Sequence, residues 1–252
     1  MSASILISGA SSGLGAALAK AYAAAGVTLF LGGRNQDRLN EVAETCRKMG
    51  AAVETEIVDV TDAKATEHWV LAADAKQPLT LVIANAGISG GTGHRLGETA
   101  EQTRAIFDAN VDGVFNTVLP IIPVMRGRNS GQIVLMASIA GFRGLPSAPA
   151  YCASKAAVRV WGEGIRGWLR RDRVGVTVIC PGFVETAMTA PNKFPMPFLM
   201  TAEKAALIMK RGIDANKARI TYPWQMAIAA WFLAALPPAW TDNLVAATPK
   251  KG

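Results

Sequence analysis

The sequence predicts an α/β fold: a doubly wound parallel sheet of about seven strands with helices on both faces. Two observations carry this prediction. Short, β-branched runs alternate with stretches of helical periodicity, and those runs are apolar almost without interruption. Continuous apolarity marks strands buried on both faces, and regular strand–helix alternation marks a parallel sheet covered on both sides.

Taken in order, Ile5-Leu6-Ile7, Val27–Leu31, Val53–Val58, Leu79–Ala84, Gln132–Ala137 and Val174–Cys180 read as strands. Leu14–Ala25, Gln36–Met49, Ala63–Lys76, Thr99–Met125 and Tyr151–Arg171 read as the helices that follow them. Two stretches break the alternation. Residues 182–200 hold Pro191, Pro195 and Pro197 among apolar side chains, as expected of a mobile flap over a pocket. Residues 220–241 carry no charge at all. A chain of 252 residues suits one undivided α/β domain, and no Pro/Ser-rich linker, low-complexity tract or repeat divides residues 1–252.

Half of the residues are hydrophobic and 18% are charged, enough to build a large core and too apolar for a disordered chain. No apolar run reaches the roughly 18 residues of a membrane-spanning helix, and Met1-Ser2-Ala3-Ser4 lacks the basic start of a signal peptide. Cys46, Cys152 and Cys180 are odd in number and show no CxxC spacing, so a reduced, cytoplasmic protein without a metal site is expected. The net charge of +7 favours a phosphate-bearing ligand over nucleic acid, because the basic residues are scattered. Only Arg166, Arg170, Arg171 and Arg173 crowd together, and they read as a solvated helix end.

The first strand runs into Ser8-Gly9-Ala10-Ser11-Ser12-Gly13-Leu14-Gly15 and then a helix. Glycines at such a junction allow close backbone approach to a pyrophosphate, which the free N–H groups and dipole of the helix start would hold. The second strand ends at Gly32-Gly33-Arg34, and the nearest acid is Asp37. An acid at the strand end would hold a ribose 2′-hydroxyl, whereas an arginine grips a 2′-phosphate. Arg34 therefore favours NADP(H) over NAD(H), with a solvated helix-start arginine as the alternative.

Tyr151 and Lys155 stand at i and i+4, on one face of a helix. A tyrosine hydroxyl ordinarily titrates near 10, so proton transfer at neutral pH needs about 4 kcal/mol of help, which a neighbouring ammonium supplies in part. Ser138 follows the Ile133–Ala137 run, at the carboxyl end of a strand, where open α/β sheets bind ligands.

With these motifs in this order, residues 4–222 resemble the short-chain dehydrogenase/reductase family, in its short, single-domain, Rossmann-type branch. Gly9-Ala10-Ser11-Ser12-Gly13-Leu14-Gly15 resembles the family's cofactor turn, with Ser8 where threonine is usual. Asp59-Val60 matches its adenine-facing acid, and Ala84-Asn85-Ala86-Gly87 its Asn-Asn-Ala-Gly element, with Ala84 for the first asparagine. Pro181-Gly182-Phe183-Val184-Glu185-Thr186 matches the turn that cups the nicotinamide, with Val184 and Thr186 meeting the carboxamide. Asn110, Ser138, Tyr151 and Lys155 match the four catalytic positions. The resemblance implies that Ser138 binds the substrate oxygen, Tyr151 transfers the proton, and Lys155 binds the nicotinamide ribose. It gives Asn110 a water to hold behind Lys155.

A lipophilic ketone or aldehyde, interconverted with its alcohol, is the expected substrate, since Phe183, Met188, Phe194, Met196, Phe198, Leu199 and Met200 make an apolar lid. The alternatives are an NAD-dependent alcohol dehydrogenase of the same fold and a non-catalytic NADP-binding redox sensor. His68 and His94 lack partners at ligand spacing, Ser154 lacks a nucleophile elbow, and Gly90-Gly91-Thr92-Gly93 reads as a connector. Met226–Leu236, apolar all round, rises only about 16 Å as a helix, too short to span a bilayer. It is expected to pack in a homodimer or homotetramer interface or over the substrate mouth, anchored by Trp224, Trp231 and Trp240. Membrane-surface contact is the alternative there.

Overall fold

The computed structural model describes residues 3–92, 97–192 and 194–246. Among these, seven strands form one all-parallel sheet: β1 (Ala3–Ser8), β2 (Val27–Gly33), β3 (Ala52–Ile57), β4 (Leu81–Ala84), β5 (Gly131–Met136), β6 (Val174–Pro181) and β7 (Arg219–Tyr222). Their spatial order is β3-β2-β1-β4-β5-β6-β7. The chain winds outward from β1 to β3, then returns to the other side of β1. The two halves diverge there, leaving a crevice beyond the carboxyl ends of β1 and β4.

The period-two alternation of the strands assigns their side chains to two cores. Ile5, Ile7, Leu29 and Leu31 meet Leu18 of α1 (Gly13–Tyr22), Leu39 and Val42 of α2 (Gln36–Lys48), and Met209 of α8 (Ala202–Asp214). Leu6, Phe30 and Val82 point the other way, to Val70 of α3 (Ala63–Lys76), Val114 and Val118 of α5 (Gly113–Val118), and Val158 of α7 (Pro149–Leu169). Each fully buried side chain of this size contributes roughly 1.5–3 kcal/mol of transfer free energy, so neither face of the sheet can be left bare.

Helix starts follow side-chain chemistry. Asn35, Asp62 and Thr201 accept from the third N–H of α2, α3 and α8, and Thr99 does so for α4 (Ala100–Phe107). Helix α1 begins at Ser12 with no side-chain cap. The run expected from Thr99 to Met125 is interrupted twice. A π turn spans Asp108–Asp112, and α5 stops before Pro120, which precedes α6 (Ile121–Gly127). By length and apolarity the run Ala100–Gly127 could cross a bilayer. Its Ile106, Val114, Val118, Ile121 and Met125 are instead buried, four of them in the core shared with α3 and α7.

Several expectations change. Strand β3 is not buried on both faces: it pairs with β2 alone, at the sheet edge, with Glu54 and Glu56 at exposed positions and Val53 and Thr55 only partly buried. Strand β7 and helix α8 are two elements absent from the sequence reading. Arg166 is no solvated helix end; its guanidinium donates to the carbonyls of Val176 and Asn216 and so ties α7 to β6. Residues 182–200 have little regular structure, but Val184 and Met200 pair at their base. The uncharged segment contributes most of β7, all of α9 (Trp224–Ala235) and the start of α10 (Pro238–Ala246).

Candidate active site

A cavity of about 770 Å³ opens beyond the carboxyl ends of the strands. Of the residues assigned to a cofactor from sequence, all but Gly15 line it, and of the four catalytic positions Ser138, Tyr151 and Lys155 do. Gly15 serves the turn from behind. A Cβ there would lie 2.3 Å from the Gly9 carbonyl oxygen and 2.5 Å from Asn85 Nδ2, so only glycine lets α1 leave so close to the turn. Gly9 has φ +67°, and a Cβ on it would meet the Ala86 backbone at 2.8 Å. With no side-chain cap at Ser12, the first N–H groups of α1 remain for an anion at the turn.

Ser8 earns its place through its hydroxyl, which accepts from the N–H groups of Asn85 (3.1 Å) and Ala86 (3.2 Å). Asn85 Nδ2 in turn donates to the carbonyls of Ser8 (3.0 Å) and Gly9 (3.2 Å), locking the turn after β1 to the loop after β4. Asn110, fully buried in the π turn, does not reach the cavity. Its Oδ1 accepts from Ile88 N–H (2.8 Å) while Nδ2 donates to the Ile88 carbonyl and to Ser154 Oγ, both at 3.0 Å. The side chain thus fastens the loop after β4 to α7. Ser154, set aside from sequence, relays this bond by donating to the Tyr151 carbonyl at 2.8 Å.

Ser138 lies just past β5 and caps a 3₁₀ turn, Ile139–Phe142, where its hydroxyl accepts from Ala140 N–H at 3.1 Å. Helix α7 carries Tyr151 and Lys155 onto the same wall. It sits tightly on the sheet because Gly162 faces Leu135 and Val178, and Gly141 touches the backbone of Lys155. Burial pushes the Tyr151 hydroxyl above its ordinary 10, while a hydrogen bond with Ser138 pulls it down again. The net shift is upward. The Lys155 ammonium lies 5.9 Å from the centre of the Tyr151 ring and donates to the Met136 carbonyl at 2.9 Å. Burial pulls its pKa from 10.5 down to about 8.

At the end of β2, Arg34 is 68% exposed and its guanidinium lies 3.5 Å from the Asp59 carboxylate. Burial pushes the Asp59 carboxyl up, but the Thr61 N–H and hydroxyl and Arg34 together outweigh it, and the net shift is downward. Arg38, on the first turn of α2, lines the same wall and was missed from sequence. Its four-residue spacing from Arg34 was the available signal. The opposite end of the cavity is apolar. Phe183 and Phe194 meet edge to face at 6.0 Å, with Met188 and Phe198 beside them.

Met226, Ala229 and Leu233 of α9 close that end, so one face of the uncharged helix covers the cavity. Its other face is bare: Trp224, Trp231 and Phe232 are exposed, as are Trp240 and Leu244 of α10. The three tryptophans do not anchor within this chain. His68 is exposed on α3, and Gly93 and His94 lie outside the described residues.

A sheet with this switch point, a glycine turn running into an uncapped helix, and a serine, tyrosine and lysine on one wall define a nucleotide-binding oxidoreductase of the open α/β class. Residues 3–195 match the family model of the short chain dehydrogenases. An uncharacterized oxidoreductase of Myxococcus xanthus is 42% identical over 233 residues, 92% of each chain. Among solved structures, a short-chain dehydrogenase from Sphingobium yanoikuyae in complex with NADPH superposes with a TM-score of 0.82 at 25% identity, over 99% of this chain and 98% of that one. One from Burkholderia phymatum in complex with NAD gives 0.84 at 25% identity, with the same coverage. The chain belongs to the short-chain dehydrogenase family and is an oxidoreductase.

Proposed function

We propose that this chain interconverts a lipophilic ketone or aldehyde and its alcohol, using NADP(H) in preference to NAD(H). The observation that carries the reading is the Tyr151 hydroxyl, hydrogen-bonded to Ser138 and backed by a buried Lys155, at the apolar end of one cavity. The other end fits a dinucleotide. Gly9 would clash if it had a Cβ, and α1 leaves its first N–H groups uncapped beside Ser11, Ser12 and Gly13. Bound there, the cofactor supplies or takes up hydride at its nicotinamide.

The chain's own residues handle the oxygen. Ser138 donates to the substrate oxygen and Tyr151 passes it the hydroxyl proton, each acting on charge that grows only in the transition state. Lys155, on the Met136 carbonyl, lowers the cost of the phenolate left behind. Asn110 is a positioning residue that fixes the loop after β4 and, through Ser154, the start of α7. Arg34 and Arg38 support the NADP(H) preference, as two guanidinium groups at the wall where a 2′-phosphate would lie. The pairing of Arg34 with Asp59 favours the second reading, an NAD-dependent alcohol dehydrogenase, since it spends part of that charge.

The test compares NADPH with NADH across aliphatic, aromatic and sugar carbonyls. Higher kcat/KM with NADPH on apolar carbonyls is expected, and equal use of NADH or a sugar preference contradicts the reading. The bare face of α9 and α10 supports assembly into a homodimer or homotetramer, which the light-scattering mass reads directly. Cys46, Cys152 and Cys180 are buried and form no disulfide, which supports a cytoplasmic setting.

A further inference from the structure

Tyr151 sits in the first turn of α7, and that helix begins without a cap of its own. Ala148, at its N-cap, has no polar side chain, and Pro149 brings no N–H. Ala150 therefore offers the first N–H that the helix cannot satisfy from within. Glu98 takes it: its Oε2 accepts from Ala150 N–H at 2.8 Å. A carboxylate suits that place, because a helix start carries the positive end of the dipole.

Glu98 lies in the loop between β4 and α4, and Ile88 and Ser89 of that loop line the cavity. The loop holds the entry to α7 at a second point, where Thr92 N–H donates to the Ser147 carbonyl at 3.0 Å. It is anchored in turn on α4. Gln102 Nε2 donates to the Gly91 carbonyl at 3.0 Å, and Thr99, directly after Glu98, caps that helix. On the other side of the tyrosine, the Ser154 hydroxyl holds the Tyr151 carbonyl. The backbone is thus fixed just before and just after Tyr151. Glu98 does not line the cavity, so it acts through the helix and not on a ligand.

We infer that Glu98 is a positioning residue for the proposed reaction: by capping α7 from the loop after β4, its carboxylate holds Tyr151 on the wall it shares with Ser138 and Lys155. This rests on the proton transfer from Tyr151 proposed above, and it adds the loop to the parts on which that step depends. A misplacement of about 1 Å at a reacting group costs up to roughly 10²-fold in rate. A helix start left to fray therefore shows in turnover rather than in ligand binding.

The experiment compares wild type, Glu98→Ala and Glu98→Gln in NADPH oxidation with the best carbonyl substrate and in amide hydrogen exchange. The glutamine keeps an oxygen acceptor for Ala150, and its amide nitrogen replaces Oε1, which has no partner to lose. Glu98→Ala should cut kcat about tenfold, leave KM and NADPH affinity within about twofold, and speed exchange at Ala150, Tyr151 and Cys152. Glu98→Gln should restore all of these to within about twofold of wild type. Glu98→Asp, one methylene too short for the bond, repeats the comparison if Glu98→Ala fails to fold. A wild-type kcat in Glu98→Ala, or a loss that Glu98→Gln does not rescue, overturns the positioning role alone. Reduction of no carbonyl by the wild-type protein overturns the function and the positioning role together, and exchange that is equal in all variants overturns the cap itself.

Discussion

At the scale of single residues, the site depends on burial working against charge. Lys155 is 4% exposed, and its amine loses its proton near pH 8, far below the 10.5 of an unfolded lysine. Between those values the unfolded chain holds more protons at this position, so raising the pH through that window stabilises the folded state. Below pH 8 the full cost of the buried charge is present. Lys155→Met removes it, and its melting temperature relative to wild type should be highest near pH 7 and decline toward pH 10. Circular dichroism melts of both proteins at pH 7, 8.5 and 10 measure this, and parallel curves would contradict the burial argument. Arg34 shows the opposite regime. It is exposed, its pairing with Asp59 is screened, and its worth lies in a ligand rather than in the fold.

At the scale of elements, α7 shows how glycine placement sets a helix against the sheet. A Cβ on Gly162 would lie 2.5 Å from Leu135 Cδ1 and 2.6 Å from Val178 Cγ2, whereas one on the exposed Gly164 would meet nothing within 4 Å. Gly164→Ala should therefore stabilise the protein by about 1 kcal/mol through helix propensity. Gly162→Ala should cost about 1–3 kcal/mol by overpacking and shift Tyr151 and Lys155 with the helix. Urea unfolding reads both, and a stabilising Gly162→Ala would refute the packing account. The elements legible in the sequence were those with both faces buried, such as Ile5-Leu6-Ile7 and Ile133–Ala137. Strand β7 escaped because it has only four residues, begins at the exposed Arg219, and runs straight into Pro223. Helix α8 escaped because it lies between the proline-rich crossing and that short strand. The glycine turn and the Ser138, Tyr151 and Lys155 set were legible because spacing expresses them. Arg143 was not, since its contacts with Pro238, Thr241 and Asp242 exist only once α10 is in place.

At the scale of the whole molecule, the site is a product of sheet order. The glycine turn comes from β1, Arg34 from β2, Asn85 from the end of β4, Ser138 from β5 and Pro181 from β6, so no single half of the chain contains it. The C-terminal helices complete it: one face of α9 closes the cavity, α10 holds Arg143, and the outer face stays apolar and bare. The central claim is that this assembly transfers a proton from Tyr151 to a carbonyl oxygen. Its most direct test measures NADPH oxidation with the best carbonyl substrate, alongside NADPH binding by fluorescence, for wild type and Tyr151→Phe. Loss of general acid catalysis predicts a fall in turnover of about 10²–10⁴-fold with NADPH affinity unchanged. A Tyr151→Phe protein that turns over like wild type would contradict the claim.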